Sequence, residues 1–370
     1  PLSIILLHVG VAFVASVDRK LMIFYFIAAF VFFCYRMIAS KDKFFTAVCA
    51  AAYFTGGEVL FRMARSAIIW EQGKYAVIFF CLWGMFFVGF RRNAIPYVLY
   101  FLLLLPAIGV SYLYLDFDSD FRKSVIFNLG GPICLTVSSV LLYGRTMKLS
   151  KFLKVLDYLV YPIIVTAVYV VLYTPTGPDL FIHAGSNAAT SGGYSGNQVA
   201  TILGLGFFIL ISRFFIPYRN PLVHWVMMFF MVLMGYRALL TFSRGGVVAA
   251  ILMAVVFIAI YWWRVGLIGK TKVTVKLVAL GFGVVFLWGY TTVTTGGMIT
   301  NRYTNKDALG REKEDITTGR AELAEAEWTA FSTNPIFGKG TGGSKAFFED
   351  ELGISGASHN EVTRMLSEHG

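Results

Sequence analysis

The chain is dominated by apolar runs of membrane-spanning length. They fall near residues 1–17, 21–39, 44–61, 75–90, 94–115, 124–143, 152–173, 198–216, 222–240, 245–263 and 273–290. A bilayer core takes about 20 apolar residues per helix, and a lone spanning segment must satisfy its backbone polar groups internally, which a helix does. The runs therefore predict an all-α, polytopic integral membrane protein with about 11 to 12 transmembrane helices. Of the residues, 57% are hydrophobic and 14% charged, whereas soluble domains hold about 45–50% and about 25%. A soluble globule is excluded. The formal charge of +11 would suggest nucleic acid in a soluble protein, but here it reads as basic loops on the cytoplasmic side, with membrane lipids and no nucleic acid as partners.

One long polar stretch, residues 291–358, interrupts this pattern and reads as an extramembrane subdomain before the last helix. The expected organisation is N-terminal transmembrane helices at 1–184, a transmembrane core at 185–290, a periplasmic loop subdomain at 291–358, and the start of a final helix at 359–370. The chain opens on Pro1 without Met or a charged leader and stops at Gly370 just after a polar-to-apolar transition, so a fragment lacking something at both ends is expected. Alternating hairpins sort the loops into two sets. Lys41, Lys43, Arg91, Arg92, Arg145, Lys148, Lys151, Arg219, Arg264, Lys270 and Lys272 fall in one set, the expected cytoplasmic side. The 291–358 stretch and the Lys/Arg-free residues 174–197 fall in the other. No internal repeat supports an inverted-repeat transporter.

Ionisable groups within or beside spans are costly and are candidates for function. Arg237 and Arg244 lie seven residues apart in Gly235-Tyr-Arg-Ala-Leu-Leu-Thr-Phe-Ser-Arg-Gly-Gly246. On one helix that spacing puts both guanidinia on one face about 10 Å apart, and guanidinium binds phosphate in a bidentate fork that burial does not discharge. The competing reading has Arg244 reaching out to the interface and Arg237 paired with an acid such as Glu58. In the long loop, residues 315–331 read as a helix opened by Thr317 or Thr318, with Leu323, Trp328 and Phe331 on its apolar face. Arg320 in its first turn opposes the helix dipole and calls for an anionic partner, an acidic neighbour or a ligand phosphate. Gly338-Lys-Gly-Thr-Gly-Gly343 reads either as a cradle of backbone N–H groups or as a flexible turn, and lacks Walker spacing.

His359 stands at the membrane re-entry, on the side expected for Arg244 and Arg320. An imidazole near cations stays neutral and can act as a general base. His8 and His224 read as packing or interfacial residues, His183 lies in the 174–197 loop, and His369 is near the end of the chain. Asp116-Phe-Asp-Ser-Asp120 is a weak metal-binding pattern and reads more simply as hydrated acids. Cys34, Cys49, Cys81 and Cys134 sit in apolar runs and show neither a disulfide framework nor a zinc motif.

Thr241-Phe-Ser-Arg-Gly-Gly246, Thr318-Gly-Arg320 with Trp328, Asn334-Pro335-x-x-Gly338-x-Gly340, and His359-Asn360 followed after nine residues by Gly370 together resemble the O-antigen ligase and polymerase superfamily. The resemblance spans about residues 185–370, with Val248 standing where the family usually has Leu. It implies a metal- and cofactor-independent glycosyltransferase of the bacterial inner membrane with a periplasmic active site. The implied donor is a glycan on undecaprenyl diphosphate. The implied acceptor is a hydroxyl of lipid A-core, for an O-antigen ligase in lipopolysaccharide assembly, or of a lipid-linked glycan, for a repeat-unit polymerase. Arg244 and Arg320 would neutralise the leaving diphosphate and His359 would activate the acceptor hydroxyl, while Arg237, Asn360, Gly338 and Gly340 would bind substrate. A transporter of an anionic solute is a further alternative, for which the 198–216 and 245–263 spans offer almost no polar path, and a structural subunit is a third.

Overall fold

The structure, a computed structural model, describes residues 2–64, 68–113, 115, 119–174, 185–312, 317, 319–351, 353 and 360–370. Its helices are α1 (Leu2–Val17), α2 (Met22–Ala39), α3 (Lys43–Met63), α4 (Gln72–Val88), α5 (Ile95–Leu104), α6 (Pro106–Ser111), α7 (Ser119–Leu142), α8 (Leu149–Tyr173), α9 (Gly196–Phe215), α10 (Pro221–Leu240), α11 (Arg244–Arg264), α12 (Leu267–Thr294), α13 (Met298–Tyr303), α14 (Arg320–Thr333), α15 (Gly343–Glu351) and α16 (Glu361–His369). Among the described residues the only β-pairing is an isolated bridge between Lys306 and Glu312. Among the described residues nine helical segments are long and apolar enough to cross a membrane, and α1 and α4 are shorter apolar helices. Among the described residues each apolar run is largely helical, and the chain is a polytopic all-α membrane protein.

Local chemistry sets the helix ends. Asp42 caps α3 by accepting from the Phe45 N–H at 3.0 Å. Asn220 caps α10 by accepting from Leu222 N at 2.9 Å, with Pro221 next, where a missing N–H costs nothing. The single run expected at 94–115 is broken between α5 and α6 at Pro106, since proline removes a helical hydrogen bond and restricts the residue before it.

The chain divides into two compact units, residues 1–76 with 148–313 and residues 77–147 with 314–370. In the first, α8 packs against α1, α3, α9 and α10, and its Ile163, Ile164, Val165, Ala167 and Tyr169 are fully buried. α9 and α11 cross closely at Gly204 and Gly246: a Cβ on Gly246 would lie 2.5 Å from the Ala200 carbonyl carbon and 2.6 Å from Thr201 N. Along α12 the large side chains Phe282, Val285 and Phe286 are exposed, as suits a lipid-facing helix, because lipid replaces the apolar contacts a soluble protein would need. In the second unit α5 packs on α7, and α14, α15 and α16 pack together around Leu323, Ala326, Ala330, Phe347 and Phe348.

The apolar face expected for α14 needs correction. Leu323 is buried, but Trp328 is 57% exposed. The buried stripe is Leu323, Ala326, Glu327 and Ala330, the i, i+3, i+4, i+7 spacing of one helix face. Small residues let α15 and α16 approach, and the indole has no room there.

Candidate functional site

In the first unit, polar groups gather where α10 gives way to α11. The one-helix arrangement expected for Arg237 and Arg244 is not what forms: α10 ends at Leu240 and α11 begins at Arg244. Between them Phe242 takes a left-handed φ of 55° and is fully buried. The Thr241 hydroxyl accepts from Ser243 N at 3.2 Å, a side-chain turn that competes with helix. Arg302 on α13 donates from Nε to the Phe242 carbonyl at 2.8 Å, and Asn187 N donates to the Thr241 carbonyl at 3.3 Å. Two distant segments thus hold one three-residue break.

Arg237 is 9% exposed; among the described residues its guanidinium donates to the Thr174 hydroxyl at 3.4 Å and lies 5.8 Å from the centre of the Tyr236 ring. Its Nε is buried without a partner. The pairing with Glu58 weighed from the sequence does not occur, because Glu58 accepts from Arg62 Nε at 2.7 Å. Arg244, half-buried, is the first residue of α11. Ser243 makes no cap bond from its side chain and instead donates to Asn197 Oδ1 at 2.8 Å. The Ser243 side chain therefore does not cap α11, at whose start the helix dipole favours an anion. Gly246 is packed against α9, whereas Gly245 is exposed with nothing within 4 Å of its Cβ position. Burial pushes the Tyr303 phenol up to about 12, against the opposing pull of Arg302 and Arg244, which marks both cations as its electrostatic neighbours. The cluster is a cationic end of the unit, suited to phosphate.

In the second unit, Arg320 is the first residue of α14, preceded by Gly319 at φ 77°. Thr317 accepts from Ala321 N at 3.3 Å, which gives it the helix-opening role expected of Thr317 or Thr318. The Arg320 side chain is exposed, and among the described residues it has no hydrogen bond or ion pair.

The glycine-rich loop is neither flexible turn nor open cradle. Gly338 and Gly340 are buried at φ 59° and 84°. A Cβ on Gly338 would lie 2.4 Å from the Glu368 carbonyl carbon, and one on Gly340 2.4 Å from Ser111 N. The chain's own backbone fills the space a side chain would need, so close packing by itself calls for glycine at both positions. Gly370 is placed likewise against Ile336. Lys339 N donates to the Ser367 carbonyl at 2.8 Å and Ser111 Oγ to the Thr341 carbonyl at 2.9 Å. Asn360, expected to bind substrate, caps α16 by accepting from Val362 N at 3.1 Å. The scattered pieces around Asn334, Asn360 and Gly370 thus form one packed block.

His359, His183, Asp116 and Asp118 lie outside the described residues. Among the described residues no group of three or more His, Cys, Asp or Glu is placed to hold a metal ion. Two residues went unnoticed in the sequence. Arg302, sixty residues from Phe242, has only its isolated charge after a span as a signal. Arg364 ties α16 together, donating to Glu361 at 2.6 Å, Glu368 at 2.8 Å and Asn128 at 2.8 Å. Its spacing from both acids, i−3 and i+4, was legible as a helical ion-pair pattern.

Residues 229–370 match the family model described as O-antigen ligase. This part of the chain is similar to the O-antigen ligase family. It contains the Arg237 to Arg244 turn, α13, α14 and the packed block through Gly370. No curated protein and no solved structure matches the chain.

Proposed function

We propose that the protein is a glycosyltransferase that moves a glycan from undecaprenyl diphosphate to a hydroxyl acceptor at the periplasmic face of a bacterial inner membrane, as an O-antigen ligase acting on lipid A-core. A repeat-unit polymerase differs only in the acceptor. The observation that carries this reading is how the buried arginines divide. Arg62, Arg213 and Arg364 are largely buried and each holds a carboxylate. Arg237 is as buried and, among the described residues, holds none. Removing a charge from water costs several kcal/mol unless a counter-ion is supplied, and in a domain of this family the counter-ion is a diphosphate.

In the proposed reaction the acceptor oxygen attacks the anomeric carbon, the bond from that carbon to the diphosphate oxygen breaks, and the electron pair leaves with undecaprenyl diphosphate. His359 takes the acceptor proton. Arg244 and Arg320 stabilise the growing phosphate charge with fixed dipoles and charges that need no reorganisation, and Arg237 binds the donor. The periplasmic orientation rests on the basic loops of the opposite set, with residues 291–358 as the periplasmic subdomain.

The test is reconstitution of the purified protein with undecaprenyl-diphosphate glycan, offering lipid A-core and a lipid-linked repeat unit in competition. Transfer to lipid A-core that is lost in His359→Ala and unaffected by a chelator is expected. Transfer only to the repeat unit would make the protein a polymerase, and transfer retained in both His359→Ala and Arg320→Ala would overturn the proposed roles.

A further inference from the structure

Helices α14 and α16 are neighbours in the second unit, and each is attached to a residue of interest. Arg320 begins α14, and His359 immediately precedes Asn360, the cap of α16. Glu327 lies seven residues along α14 from Arg320 and is 1% exposed. The Thr363 hydroxyl, in the first turn of α16, donates to Glu327 Oε2 and also lies 3.3 Å from the Asn360 carbonyl. The other oxygen, Oε1, is buried with no hydrogen bond.

Packing alone does not ask for a carboxylate here. The rest of the buried stripe is Leu323, Ala326 and Ala330, and a buried acid with a single neutral donor is a costly substitute for another apolar residue. What the carboxylate adds is direction. It fixes the Thr363 hydroxyl, and with it the turn that starts at Asn360, at one register along α14. The start of α16 is a position where an acid is favoured by the helix dipole.

We propose that Glu327 is a positioning residue: through Thr363 it locks the first turn of α16 onto α14, and so sets Asn360, the residue that follows His359 in the sequence, against the helix that begins with Arg320. This inference rests on the proposed transferase reading for its kinetic consequence, while its structural half stands without it.

The experiment compares Glu327→Ala, Glu327→Gln, Thr363→Val and Thr363→Ser in the full chain in detergent or proteoliposomes. Glutamine keeps an acceptor for the Thr363 hydroxyl and serine keeps the hydroxyl, so both are rescue variants. Glu327→Ala and Thr363→Val should lower kcat roughly a hundredfold, the cost of a misplacement of about 1 Å, with donor KM within about twofold of wild type. Glu327→Gln and Thr363→Ser should restore most of that loss, and the Glu327→Ala/Thr363→Val pair should be no worse than either single variant. Amide exchange read independently of activity should rise in residues 361–364 for Glu327→Ala and return in Glu327→Gln. Wild-type kcat with unchanged exchange in folded Glu327→Ala and Thr363→Val overturns the inference. Faster exchange at 361–364 in a protein whose wild type transfers no glycan keeps the tie and instead overturns the transferase reading.

Discussion

Two buried arginines sit in the same unit and have opposite surroundings. Arg213 on α9 is 6% exposed, lies 3.5 Å from Asp157, and stacks its guanidinium 3.8 Å above the Tyr218 ring. Asp157 is held in turn by the Tyr218 hydroxyl at 2.8 Å. Arg237 on α10 is 9% exposed and, among the described residues, has a long contact to Thr174 and the Tyr236 ring but no carboxylate. In the first, the cation has a carboxylate beside it, although its Nε, like that of Arg237, makes no hydrogen bond among the described residues. The second is a buried cation that has no carboxylate partner among the described residues. The difference teaches that in a membrane protein the informative charge is the uncompensated one.

The comparison is broken most sharply at Arg213. Arg213→Ala leaves Asp157 buried without its counter-ion and should destabilise the protein by about 3–5 kcal/mol, read as thermal unfolding in detergent with transfer lost through unfolding. Arg237→Met should do the reverse, leaving the unfolding temperature equal or higher while lowering transfer roughly a hundredfold. If Arg237→Met unfolds the protein as Arg213→Ala does, the contrast is gone. Arg244→Lys should be nearly as damaging to transfer as Arg244→Ala, since ammonium cannot replace a bidentate fork; full rescue by lysine in the same assay would reduce Arg244 to a simple charge.

Smaller effects sharpen the packing half of the picture. Gly246→Ala forces α9 and α11 apart and should cost about 1–3 kcal/mol of stability, whereas Gly245→Ala meets open space and should be neutral or stabilising by up to about 1 kcal/mol. Equal losses from the two glycines would contradict the close crossing. Trp328→Ala, on an exposed ring, should change stability by no more than about 0.5 kcal/mol, checked by the same melt.

The spans were legible because bilayer thickness imposes a length and composition that no tertiary contact alters. Arg244, Arg320 and the Asn334 to Gly340 motif were visible as motifs, but their surroundings were not. The break between Arg237 and Arg244 depends on Phe242 adopting a positive φ, held by Arg302 from sixty residues away. That is a long-range cause which periodicity cannot register. Gly338 and Gly340 looked like ligand glycines because the need for no side chain is the same whether a phosphate or a backbone approaches. Here the approach comes from Glu368 and Ser111. Glu327 was hidden for the opposite reason: an acid on a helix with acids at 322 and 325 reads as solvated surface, and only the approach of α16 buries it.

The most direct measurement of the central claim is transfer of glycan from undecaprenyl diphosphate by reconstituted Arg237→Met and Arg320→Ala, each shown by its melting curve to be folded. Both should keep the wild-type melt and lose transfer. Wild-type transfer by both folded variants would contradict the roles proposed for Arg237 and Arg320.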